Sequence, residues 1–195
     1  MNANRFPEVM RVVDESRKLG SRVLANGTQI IGHVPHVAVE GYLHEIYPGL
    51  ADAEIEALEI GTLRRTIPED YKAFLKVTNG ANFFVAELAL DGARKDYART
   101  GDESRQPFDL EMPNLYERPR DARNGEFFIG GYSEDGSLLY LRDGRVFRCS
   151  RRSVKPLNEW SGFWEMLVGE VTRMAKHFDS TGRRKMPAES LVPPG

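Results

Sequence analysis

Three short apolar runs, separated by glycine-bearing turns, occupy residues 126–149 and leave little choice of architecture. Glu126, Phe127, Phe128, Ile129 and Gly130 make the first run, and Ser137, Leu138, Leu139, Tyr140 and Leu141 the second. Arg145, Val146, Phe147, Arg148 and Cys149 make the third. Asn124-Gly125 precedes the set, Ser133-Glu134-Asp135-Gly136 divides the first two runs, and Asp143-Gly144 divides the last two. Asp-Gly and Asn-Gly supply the positive backbone φ that tight hairpin turns demand, and runs of about five β-branched and aromatic residues are strand-sized. The stretch predicts an antiparallel meander whose faces the rest of the chain must cover.

The covering helices carry their own punctuation. Over residues 5–19, Phe6, Val9, Met10 and Val13 recur at helical spacing, Asn4 stands where a cap is needed, and Gly20 closes the segment. Pro7 sits near the helix start, where a missing N–H costs little. Residues 21–49 read as a hairpin around Asn26-Gly27 followed by loop near Pro35 and Pro48. Residues 53–59 form a short helix with Ile55 and Leu58 inward. In residues 67–80, Pro68 opens a helix, Glu69 and Asp70 suit its positive end, and Tyr71, Phe74 and Leu75 share a face before Asn79-Gly80 stops it. Residues 83–85 and 88–90 read as strand material closed by Asp91-Gly92. A last helix over about residues 159–178 carries Phe163, Trp164, Leu167, Val168, Val171 and Met174 on one stripe, with Asn158 as its cap. Phe74, Leu75, Phe128, Leu139, Trp164 and Leu167 are expected in one shared core. Residues 179–195, with little to bury, read as a disordered tail.

Residues 93–125 break the pattern. They hold Pro107, Pro113 and Pro119 and many charges, and they exceed the roughly 12–15 residues usual for a connection inside a compact domain. Between 102 and 117, Asp102, Glu103, Asp109, Glu111 and Glu117 are opposed only by Arg105, and Phe108, Met112, Leu115 and Tyr116 lie among them. A charged loop is ordinarily just solvated. Acids interspersed with aromatics also suit a surface that binds a basic protein. Asp102, Glu103, Phe108, Asp109, Glu111 and Tyr116 are therefore the candidate partner-binding residues. The opposite charge gathers at Arg142, Arg145, Arg148, Arg151, Arg152 and Lys155, against Asp143 alone. Without interleaved stacking aromatics this reads as a solvated strand edge, not a nucleic-acid contact.

Composition narrows the classes further. With 195 residues, 41% of them hydrophobic, the chain can build a core without a disulfide or metal. A formal net charge of -2 argues against a dedicated nucleic-acid binder. No run of about 18 apolar residues is present, so no membrane span is expected, and the charged N-terminal turns do not read as a secretory signal. The expected location is the cytoplasm. Cys149 is the sole cysteine and reads as a small buried strand residue. His33 and His36 flank Pro35, which disfavours the helix that would align them on a metal; His44 and His177 are isolated and read, like them, as surface residues. Gly131-Tyr132-Ser133 starts like a nucleophile elbow, but Asp135 replaces the last glycine and a strand follows where a helix is required. No catalytic residue, metal or cofactor is expected.

The order of elements resembles the SMI1/KNR4 family of the SUKH superfamily. The likeness rests on Ile67-Pro68-Glu69-Asp70-Tyr71-Lys72-Ala73-Phe74-Leu75 with Asn79-Gly80, on Phe128-Ile129-Gly130 with Asp135-Gly136, and on the closing stretch 160–171. It covers about residues 45–178 and leaves residues 1–44 and 93–125 as additions. Ile67 stands where the family usually has Leu. The resemblance implies an α+β domain, with helices packed on an antiparallel sheet. It also implies a non-enzymatic protein-binding role: many bacterial members look like immunity proteins that neutralise a polymorphic toxin, while a fungal branch is linked to cell-wall regulation. An enzyme with a site assembled from distant residues is the remaining class, and no motif here speaks for it.

Overall fold

The computed structural model describes residues 4–186 and 190–194. Its centre is a nine-stranded sheet in which every strand pairs antiparallel with its neighbour in sequence. The strands are β1 (Ser21–Val23), β2 (Gln29–His33), β3 (Tyr42–Ile46), β4 (Ala81–Phe83), β5 (Leu88–Leu90), β6 (Phe127–Tyr132), β7 (Leu138–Arg142), β8 (Arg145–Ser150) and β9 (Ser153–Trp160). The helices are α1 (Phe6–Asp14), α2 (Asp52–Ala57), α3 (Glu69–Val77) and α4 (Phe163–Ala175). The class is α+β, and the three runs of residues 126–149 are β6, β7 and β8.

Directly opposed residues of antiparallel strands share a face, so the register assigns the faces. Ile46, Ala81, Leu90 and Leu139 belong to the face that the helices cover. There Phe74 of α3 meets Phe6 at 6.1 Å, Phe163 at 5.2 Å and Trp164 at 6.4 Å between ring centres. The Tyr71 hydroxyl, fully buried, donates to the carbonyls of Asp91 at 2.5 Å and Ile129 at 3.0 Å. It thereby ties α3 to the end of β5 and to β6, which gives the Tyr of the Pro68 motif a definite structural task. On the opposite face a register row runs Ile30, Glu45, Asn82, Ala89, Gly131, Leu138 and Cys149.

Several expectations are corrected. Phe128 does not share the core of Phe74, Leu75, Leu139, Trp164 and Leu167; it packs on the opposite face with Tyr140, Phe147 and Cys149. Alternation along a strand sends neighbouring side chains to opposite faces, and both faces of the meander are covered here. The segment before Pro48 is strand β3, not loop. The strand ends at Phe83, because Phe84, Val85 and Ala86 all take left-handed φ values of 54°, 60° and 61°. Such a run is costly for side chains with a Cβ; Phe84 is held by stacking on Phe178 at 4.9 Å and by the edge of His44 at 4.8 Å. Asn158 caps no helix. It lies in β9, and α4 starts after Gly162.

The expected free tail is also corrected where it is described; residues 187–189 and 195 lie outside the described residues. Leu191 and Val192 are buried with the main core. Arg173 donates to the Leu191 carbonyl at 2.5 Å, and the Leu191 N–H donates to Glu134 at 2.9 Å. Two apolar residues and a set of waiting hydrogen-bond partners suffice to dock a segment that composition alone left loose. His44 is likewise no surface residue. It is 1% exposed on β3, and burial pushes its pKa down to about 3. Arg148 departs from the solvated strand edge: it is buried and donates to Asp135 at 2.9 Å and to Asn158 at 2.5 Å. Cys149 is buried as expected, and desolvation raises its thiol to about 12. No described helix is long and apolar enough to cross a membrane.

Candidate functional site: a groove under the 93–125 segment

The long connection is irregular in outline but tightly held. At its start the Asn79 side chain pairs with the backbone of Ala93, donating to its carbonyl at 2.8 Å and accepting its N–H at 2.6 Å. The Gly92 N–H donates to the Phe108 carbonyl at 2.8 Å, and the Leu110 N–H donates to the Gly92 carbonyl at 2.9 Å. Leu110, Pro113 and Asn114 are buried, so the segment has a core-facing side after all. Asn114 behaves as a strand partner for Phe128, accepting its N–H at 3.1 Å and donating to its carbonyl at 2.7 Å. Arg105 forms an ion pair with Glu45 on β3 and donates to the Glu40 carbonyl at 2.6 Å.

Between this segment and β5–β7 lies a groove of about 490 Å³. Its floor is the register row Ala89, Gly131, Leu138. Its apolar wall is Phe108, Met112 and Pro113. Asp91, Asp109 and Glu117 supply carboxylates, against one cation, Arg151. Phe108 stays half exposed, at 51%, on a segment otherwise pinned by backbone hydrogen bonds. Asp91 is 7% exposed, and burial, with Asp109 nearby as a second cause, lifts its carboxyl to about 8. Asp109 accepts the Tyr97 hydroxyl at 2.8 Å and the Glu111 N–H at 3.0 Å.

The six candidate residues do not converge on one spot. Phe108 and Asp109 line the groove. Glu111 follows two residues on, and burial and Asp109 raise its carboxyl above the usual range. Tyr116 is 71% exposed and points to solvent outside the groove. Asp102 and Glu103 belong to the other end of the segment, where Asp102 accepts the Ala25 N–H at 3.2 Å and Asn26 donates to the Asp102 carbonyl at 3.0 Å. There Glu103 and Arg105 line a smaller recess of about 190 Å³. Sequence reasoning missed Asp91, Pro113 and Gly131. Asp91-Gly92 signals only a turn, and nothing local reveals that a bridge to Asp109 places its carboxyl beside the acidic segment.

No protein-family model and no curated protein matches this chain. The hydroxyls around the groove are committed elsewhere: Tyr132 donates to Glu170 at 2.7 Å, and Ser133 to Glu87 at 2.7 Å. Among the described residues, no three or more His, Cys, Asp or Glu are grouped to hold a metal ion. What the groove offers is negative charge beside an exposed aromatic ring, on a preorganised scaffold. That combination recognises a cationic, partly apolar group.

Proposed function

We propose that this chain is a non-enzymatic protein-binding domain whose contact surface is the 93–125 segment and the groove beneath it, with a basic protein as partner. The supporting observation is the groove itself: Asp91, Asp109 and Glu117 adjoin the exposed Phe108 and Met112 on a segment that hydrogen bonds tie to the sheet. Preordering removes the entropy that a free loop would lose on binding. Exposed acids raise the association rate in a salt-sensitive way, and a buried aromatic mainly slows dissociation. Together with the SMI1/KNR4 resemblance, this favours an immunity protein that occludes a bacterial polymorphic toxin.

The test is capture of partners from the native cell, followed by calorimetry with two charge-reversed variants. Asp109→Lys with Glu111→Lys should weaken binding at least tenfold at low salt, with less effect at high salt, while the chain still unfolds in one cooperative transition. Asp102→Lys with Glu103→Lys, at the far end, should weaken it less. Wild-type affinity in the first variant would move the interface elsewhere. A captured partner with no toxic activity would assign the regulatory-adaptor role instead.

A further inference from the structure

The Asp91 side chain, unlike its backbone, has no local task. Its backbone carbonyl is used by Tyr71, and its N–H donates to the Ile129 carbonyl at 2.9 Å. Its carboxyl, on a residue more than nine-tenths buried, makes no hydrogen bond or ion pair among the described residues, and it lines the groove. Other acids of the fold are engaged; Asp121, for example, accepts from Ser153 at 2.8 Å and from Val154 at 3.0 Å. The carboxyl opens on the groove, so a cationic group that enters there can supply the partner that the fold does not.

Resting on the binding role proposed above, we infer that the groove is a socket for a single arginine side chain presented by the partner protein. Three observations define the fit. First, the paired backbone bonds between Gly92 and Phe108–Leu110 hold Asp91 and Asp109 at one recess, independent of loop mobility. Two carboxylates fixed by backbone suit the planar fork of a guanidinium better than the point charge of an ammonium. Second, Phe108, Met112 and Pro113 form an apolar wall for the methylene stem, and the half-exposed Phe108 ring offers a face for guanidinium stacking. Third, Ala89 puts only a methyl group on the floor, which leaves depth between Leu138 and the wall, and Gly131 beside it lets the Ser137 backbone pack close beneath.

The charged groups facing Asp91 across the groove are Asp109 and Glu117 from the long segment and Arg151 from the β8–β9 turn. Arg151 is exposed and stands at the Gly136 side, so it marks the rim. With the socket empty, Asp91 holds its proton at neutral pH, since burial keeps its carboxyl near about 8. Entry of a guanidinium favours the carboxylate and expels that proton. Affinity therefore rises as pH increases through the region just below 8.

The experiment is an NMR titration of the full chain with acetyl-Gly-Arg-Gly-amide and with its citrulline counterpart, which keeps the shape and loses the charge. Saturable shifts at the Asp91, Gly92, Asp109 and Gly131 amides are expected with arginine, at least tenfold weaker with citrulline, and tighter as pH is raised from ~6.5 to ~8.5. Asp91→Asn and, separately, Asp109→Asn should each weaken arginine binding at least tenfold while keeping the wild-type melting temperature or raising it. Equal binding of the citrulline peptide, an equally tight lysine peptide, or undiminished binding in both Asn variants would each overturn the socket. Partner capture that survives Asp91→Asn but fails on loop charge reversal would remove the socket and leave the binding role. Arginine-peptide binding in a chain that captures no protein would do the reverse.

Discussion

The Arg148 guanidinium donates to the carbonyl of Pro193 at 3.0 Å, across 45 residues of sequence. The same side chain is buried in β8 and bonded to Asp135 and Asn158, while Asn158 donates to the Pro194 carbonyl at 2.5 Å. The C-terminal residues thus complete the coordination of a charge that has left water. A buried cation needs such partners, and removing one leaves it undersatisfied.

Deleting residues 190–195 should therefore destabilise the fold. Leu191 and Val192 return to water, and Arg148 and Arg173 each lose a carbonyl. The cost is about 2–4 kcal/mol, or a melting temperature lower by about 5–15 °C for a chain of this size. Calorimetric scans of the shortened and full chains decide the matter, and equal midpoints would show a tail that docks without contributing.

His44 and Asp91 carry opposite pH dependences. The folded His44 stays neutral down to about 3, whereas the unfolded ring takes up a proton near 6.5. Stability from this residue is complete above 6.5 and falls by about 1.4 kcal/mol for each pH unit below it, until 3. Asp91 keeps its proton in the fold up to about 8 but loses it near 3.8 when unfolded. Its contribution is complete below 3.8 and is lost as pH rises to 8. Relative to wild type, His44→Leu should gain stability progressively as pH drops from ~6.5 to ~4.5. Asp91→Asn should gain it as pH climbs from ~4.5 to ~8.5. Urea unfolding across that range gives both differences, and flat differences would mean that neither group titrates this way.

Asn114 seats the long segment on β6. Besides its two bonds to Phe128, it donates to the Leu110 carbonyl at 3.0 Å. Asn114→Ala removes all three and strands buried backbone groups, at a cost of about 2–4 kcal/mol. Hydrogen exchange at the Phe128 amide should accelerate, and partner affinity should fall even though Asn114 is 1% exposed and out of reach of any partner. Unchanged exchange at Phe128 would show that another contact holds the segment.

Much of this architecture is written in local pattern. The Pro68 helix, the Asn26-Gly27 hairpin and the meander of residues 126–149 follow from turn chemistry and from apolar spacing of about two or 3.6 residues. Such signals act within a few positions, so one sequence carries them. Strands β3 and β9 are hidden in the sequence because their polarity is mixed, with Pro48 just beyond β3 and Pro156 inside β9, and their pairing partners, not their composition, make them strands.

The candidate site divides along the same line. The acid-and-aromatic character of residues 102–117 is legible, and with it the expectation of a basic partner. Which of those residues share a surface is not. Phe108 and Asp109 meet Asp91, Ala89 and Gly131 only because the segment bridges back to Gly92, while Asp102 and Glu103 are carried off to the β1–β2 turn by Asn26. His44 and Arg148 make the same point from inside the fold. Their polarity reads as surface in sequence, and only the enclosing layers decide that one is held neutral and the other is bound by the chain's own end. Local propensity is set by neighbours along the chain; burial, and with it protonation and partner geometry, is set by what long-range packing brings alongside.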